Sequence, residues 1–191
     1  MKYLYLIFSS IIIAYLVLLV FIYFYQRNLL YHPTENNYQN DKIQFSYDEI
    51  FIKVDDTVKL KSWIINKNLK KFKTLVFFHG NAGELSNRIY KLNELNKLDI
   101  NILLISWRGF SGNKGFPTED NLYKDAEAAI QWLNSKEVEN NKIILYGESL
   151  GTGVAVEIGK KNNFNSIILE SPFTSMENAA KIYYSYLPVK L

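Results

Sequence analysis

The segment of this sequence best suited to covalent chemistry is Gly147-Glu148-Ser149-Leu150-Gly151. It fits G-x-S-x-G, in which a serine hydroxyl is held out on a sharp strand-to-helix turn and the flanking glycines leave room for that turn. Attack on a carbonyl places negative charge on its oxygen, and two backbone N–H groups must meet that charge. One comes from the residue after the nucleophile, here Leu150, where a helix N-terminus also adds a positive dipole end. The second comes from a loop that follows an earlier strand, and His79-Gly80-Asn81-Ala82-Gly83 is such a loop, with Asn81 as the expected donor. His79, Gly80, Gly147 and Gly151 are then the supporting residues. The plain alternative for the loop is a tight turn into a helix.

A serine also needs a base, and here the sequence is poor. His32 and His79 are its only histidines, and both precede Ser149. His32 adjoins an apolar segment, where a structural or interfacial role is expected, and His79 belongs to the loop. Glu170 is an alternative acid at the end of a strand, with a supporting role the expected one. Without a base a serine is a weak nucleophile at neutral pH. A hydrolase inactive within these 191 residues therefore stands beside a second reading, a non-catalytic, membrane-tethered binding or scaffold protein. Asp120, Asp125 and Glu127 are read as acids favoured by a helix N-terminus.

The elements that must position these residues follow from periodicity. Alternation in Glu49–Val54 and Val58–Ile65, around Asp55-Asp56, predicts a half-exposed antiparallel hairpin. Continuous apolar runs at Thr74–Phe78, Ile100–Ser106 and Lys142–Tyr146 predict strands buried on both faces, and Ser166–Leu169 a further one. Helical spacing covers Glu84–Lys97 and Thr118–Asn134, and a small-residue helix starts at Ser149. This alternation specifies an α/β fold with a mostly parallel sheet, helices on both faces and an antiparallel N-terminal hairpin.

From Tyr3 to Tyr25 no residue is charged. As a helix this stretch reaches about 34 Å, enough to cross a hydrocarbon core of about 30 Å. Tyrosines at both ends and Lys2 and Arg27 outside suit an uncleaved single-pass anchor better than a signal peptide, whose apolar region is shorter and followed by small residues. Lys2 on one side and Arg27 and Lys42 on the other leave orientation open. The organisation expected is an anchor over 1–27, a connector over 28–47 and a catalytic domain over 48–191. The absence of cysteine excludes a disulfide framework and a thiolate site. A net charge of +3, with no basic run interleaved with aromatics, argues against nucleic acid as a partner.

The GESLG elbow and HGNAG loop resemble the α/β-hydrolase superfamily. Gln26-Arg27-Asn28-Leu29-Leu30-Tyr31-His32-Pro33 after the apolar segment, Trp107-Arg108-Gly109-Phe110-Ser111-Gly112, Pro117-Thr118-Glu119 and Glu170-Ser171-Pro172-Phe173-Thr174-Ser175 narrow the likeness. They resemble the single-pass branch typified by α/β-hydrolase domain protein thirteen, although Trp107 stands where a tyrosine is commoner. The resemblance covers nearly the whole chain and implies a serine hydrolase of esters, thioesters or amides, taking a small acyl or peptide-like substrate beside a lipid bilayer, with no cofactor. It also implies chain order Ser, acid, His, and a structural Arg108 that bonds neighbouring carbonyls. The acid and histidine are expected on two strands and a helix beyond Leu191, so the sequence reads as the N-terminal part of such a domain.

Overall fold

The computed structural model describes residues 1–34 and 43–188. The middle of the expected connector, with Lys42, lies outside the described residues. Two compact units are present, Met1–Tyr31 with Thr174–Leu191, and His32–Phe173.

In the first unit, α1 runs from Lys2 to Leu30, longer than its uncharged core, and buries none of its side chains. Ser10 donates to the Leu6 carbonyl at 2.8 Å, so its hydroxyl is satisfied within the helix. Tyr15 donates to the Tyr186 carbonyl at 3.1 Å. A later helix, α5 (Met176–Tyr183), belongs to this unit and starts at a Ser175 cap that accepts from the Asn178 amide at 3.0 Å.

The second unit begins with a two-residue strand, β1 (His32–Pro33). Next come β2 (Asp48–Lys53) and β3 (Lys59–Ile65), paired antiparallel. Their turn forms because Asp55 Oδ1 accepts from the amides of Thr57 at 2.8 Å and Val58 at 2.9 Å. The chain continues through β4 (Thr74–Phe78), the two-residue β5 (Ala82–Gly83), α2 (Ile89–Leu95) and β6 (Asn101–Ile105). Then follow α3 (Glu119–Asn134), β7 (Ile143–Glu148), α4 (Leu150–Gly159) and β8 (Ser166–Glu170).

The main sheet has the order β2-β3-β6-β4-β7-β8, antiparallel as far as β6 and parallel from there on. Leu75 and Phe77 of β4 pack on one face with Trp63, Ile102, Leu104, Leu85 and Leu92. Val76 and Phe78 alternate to the other face and are fully buried too. This is why β4 and β6 read as continuous apolar runs. At the far edge, β8 leaves Ile167, Ile168 and Leu169 roughly two-fifths exposed, at 42%, 44% and 39%.

The stretch read as one helix over Glu84–Lys97 is instead a 3₁₀ turn at Leu85–Arg88 followed by the short α2. Glu84 caps the start of that turn. Its amide donates to Asn87 Oδ1 at 2.7 Å and its carboxylate accepts from the Asn87 backbone, a capping box that ends the loop before helix begins. After β4 the chain crosses to β6 on one side, and after β6 it crosses back to β7 on the other. The carboxyl ends of β4 and β7 therefore flank a switch point, the place where open α/β sheets form a crevice.

Candidate active site

Ser149 sits at this switch point, between β7 and α4. Its backbone has φ 49° and ψ −113°, a region few residues with a Cβ adopt and one found at strained functional positions. Sterics hold it there. A methyl group on Gly147 would come 2.5 Å from the Gly151 carbonyl oxygen, and one on Gly151 would come 1.9 Å from the Phe78 carbonyl oxygen. No side chain fits at either position, so the turn presses directly against the end of β4. The Ser149 amide donates to the Glu170 carbonyl at 2.9 Å, and its own carbonyl accepts from the Thr152 amide at 2.9 Å and hydroxyl at 2.6 Å. Ser149 itself is half-buried, and Leu150, which opens α4, is buried. The first amides of a helix have no partner inside it, so they point outward at this end.

The second loop leaves the carboxyl end of β4, whose Phe78 is registered with Gly147. A Cβ on Gly80 would lie 3.6 Å from the Ser149 Cβ, so the loop passes beside the nucleophile. Asn81 follows and is half-buried. The structure thus brings His79, Gly80, Asn81, Gly147, Ser149, Leu150 and Gly151 to one edge of the sheet.

His79 is fully enclosed. Its Nδ1 lies 2.7 Å from the Gly80 carbonyl, its Nε2 faces the Trp107 amide at 3.4 Å, and its ring packs against Trp107 and Phe110. These partners suit the neutral ring protonated at Nδ1, with Nε2 accepting. Burial and the nearby Arg88 charge push its pKa down to about 3. Both nitrogens are engaged with backbone, so His79 holds the loop. The Trp107 indole N–H completes the arrangement by donating to the His79 carbonyl at 3.0 Å.

Glu170 has a different setting from that of a triad acid. Its carboxylate accepts from Lys91 at 2.6 Å and from the Tyr146 hydroxyl. Lys91 also reaches Glu148 Oε1 at 2.9 Å, while Arg88 Nε donates to Glu148 Oε2 at 2.9 Å and Arg88 Nη2 to the Ala82 carbonyl at 3.1 Å. Burial works against charge at Lys91, but the Glu170 and Glu148 carboxylates outweigh it and raise the Lys91 pKa. Burial likewise works against Glu148, and Lys91 and Arg88 lower its pKa on balance. Two cations and two carboxylates thus balance beside the nucleophile. The sequence reading missed this group, whose one local signal is the i,i+3 spacing of Arg88 and Lys91.

Two further readings need correction. Asp125 lies beyond the first turn of α3, is fully buried, and accepts from Arg108 at its backbone amide (2.9 Å), Nε (2.8 Å) and Nη2 (2.6 Å). It is the counter-ion of Arg108, which is structural through this acid rather than through carbonyls. Glu127 pairs with Lys161, while Asp120 does lie in the first turn. No group of three or more His, Asp or Glu side chains placed to hold a metal occurs among the described residues.

A family model described as serine aminopeptidase S33 (Hydrolase_4) matches residues 70–189. The α/β-hydrolase domain-containing protein WAV2 of Arabidopsis thaliana is 28% identical over 191 residues, covering 94% of this chain and 61% of that protein. Protein bem46 of Schizosaccharomyces pombe is 30% identical over 183 residues, covering 90% and 61%. The chain therefore spans about three fifths of these relatives' length. Among solved structures, an esterase of Pyrococcus furiosus, Pf2001, superposes with a TM-score of 0.63 at 23% identity, over 83% of this chain and 63% of that one. An α/β-hydrolase of Vibrio vulnificus gives 0.62 at 23%, over 71% and 49%.

Proposed function

We propose that this chain, which belongs to the serine aminopeptidase S33 family of α/β-hydrolases, is a membrane-anchored serine hydrolase acting through Ser149. The observation that carries the reading is the Ser149 backbone, held at φ 49° and ψ −113° between two glycines that admit no side chain. Strained backbone of this kind clusters at functional sites. In this reading the Leu150 and Asn81 amides form the oxyanion hole, and the substrate is an ester, thioester or amide of a small acyl or peptide-like group.

The reaction proposed is attack by Ser149 Oγ, with loss of its proton, on the carbonyl carbon to give a tetrahedral oxyanion. Its collapse breaks the ester, thioester or amide bond and expels the protonated alcohol, thiol or amine, and water then hydrolyses the acyl-enzyme to the acid and free Ser149. Each step needs a proton acceptor and donor beside Ser149. Within these 191 residues His79 cannot serve, because it is neutral and bonded at both nitrogens, and His32 lies in β1. The 191 residues by themselves are thus expected to keep only the residual rate that an oxyanion hole and binding provide. The same observation favours the second reading, a tethered binding protein.

Turnover of a short acyl ester in detergent, with and without added imidazole, separates the two. Imidazole can replace the missing base, so the rate above background should rise with it in the wild-type chain and not in Ser149→Ala. Equal rates in both proteins would favour the binding reading.

Anchoring rests on the length and apolar surface of α1. Retention in the pellet after alkaline carbonate extraction is the expected outcome, and release into the supernatant counts against an anchor.

A further inference from the structure

We infer that β1, the two residues His32–Pro33 that follow α1 after Tyr31, is a positioning element for the oxyanion loop. This rests on the reading of Asn81 as an oxyanion donor and extends it to a part of the chain far away in sequence.

β1 pairs in parallel with β5, His32 opposite Ala82 and Pro33 opposite Gly83. The His32 amide donates to the Asn81 carbonyl at 2.8 Å and the Thr34 amide to the Gly83 carbonyl at 3.5 Å. Arg88 takes the carbonyl between them, that of Ala82, at 3.1 Å. Three successive carbonyls, at 81, 82 and 83, are therefore held from outside the loop, two of them by the segment that follows α1. Fixing the Asn81 carbonyl limits rotation about its Cα–C bond. The Asn81 N–H shares a planar peptide unit with the Gly80 carbonyl, which His79 Nδ1 holds at 2.7 Å. With β1 on the Asn81 carbonyl, the chain is tethered on both sides of the Asn81 Cα and the N–H is restrained in direction.

The sequence suits this role. In a strand, alternate amides face the partner, so residues 32 and 34 donate and residue 33 does not, and a proline at 33 loses no ladder bond. The side chains of His32, Pro33 and Thr34 are all exposed, so the contribution is made by backbone. That distinguishes it from a chemical role for the His32 ring.

The test compares backbone with side chain in the full 191-residue chain in detergent, by amide hydrogen exchange read by mass spectrometry. His32→Ala keeps the donor N–H and should leave residues 79–84 exchanging as in the wild type. His32→Pro and Thr34→Pro each remove a donor and should speed exchange of 79–84 by about tenfold, with β4 and β7 unchanged. The rate at which a fluorophosphonate modifies Ser149 should fall by about tenfold in the His32→Pro variant and stay constant in His32→Ala. Wild-type exchange in both proline variants, or equal effects of His32→Ala and His32→Pro, would overturn the inference. If His32→Pro also loses protection in β4, the milder Thr34→Pro decides. If Ser149 is modified in no form, the nucleophile reading fails while the exchange comparison still decides the role of β1.

Discussion

The two halves of the proposed oxyanion hole are built by opposite means. The elbow, Gly147–Gly151, is fixed by exclusion: its turn lies so close to Phe78 that any side chain at Gly151 would overlap a backbone carbonyl. The loop, His79–Gly83, is fixed by attachment, through Trp107 to His79, Arg88 to Ala82 and β1 to Asn81 and Gly83. Exclusion is local and leaves no alternative. Attachment is distributed, so each tie can be lost singly and at lower cost.

The largest effect should come from breaking the elbow. Gly151→Ala places a methyl group against the Phe78 carbonyl, which can yield only if β4 moves, and a loss of about 4 kcal/mol is expected in denaturant unfolding followed by tryptophan fluorescence. Gly80→Ala, with only ordinary contacts at 3.6 Å, should fold with little change. Similar losses for the two would remove the contrast.

Arg88→Ala breaks two ties at once and leaves Glu148 half-buried with Lys91 alone. A loss of about 2 kcal/mol is expected, lower than for a fully buried pair because the Glu148 side chain remains 19% exposed. Arg88→Lys should recover part of it, since charge returns without the fork that reaches both Glu148 and Ala82.

The tie through His79 is sensitive to acid. Its pKa is about 3 when folded and near 6.5 when not, so the unfolded chain binds the proton first. Stability is fully present above pH 6.5 and declines as pH falls toward 3, by up to about 1.4 kcal/mol for each pH unit. Glu148, lowered from 4.5, adds its own loss only below that value. A stability profile that is flat between pH 6.5 and 4.5 would contradict the buried, neutral ring, and His79→Asn should flatten that interval.

The smallest effect is a gain. Ser149→Gly relieves the φ 49° backbone and should raise stability by about 1 kcal/mol while abolishing any serine chemistry. A glycine that destabilises would mean the elbow is unstrained.

Legibility in the sequence follows the same division. The elbow, the buried strands β4, β6 and β7 and the hairpin β2–β3 were readable because each depends on neighbours within a few residues: two glycines around a serine, an apolar run, an aspartate turn. The contacts that periodicity does not show join Arg88 to Glu148, Lys91 to Glu170, Asp125 to Arg108 and His32 to Asn81, across 17 to 79 positions. Their one local sign is the i,i+3 spacing of Arg88 and Lys91. Asp125 looked like an ordinary helix acid because its partner lies on another element. His32 contributes a backbone amide, which residue type does not reveal.

The most direct test of the central claim is covalent modification of Ser149. The detergent-solubilised chain would be exposed to a fluorophosphonate and digested, and the adduct located by mass spectrometry. The account predicts slow phosphonylation confined to the peptide containing Ser149, faster with added imidazole and absent from Ser149→Ala. No adduct after prolonged exposure, or an adduct on another residue that persists in Ser149→Ala, would contradict it.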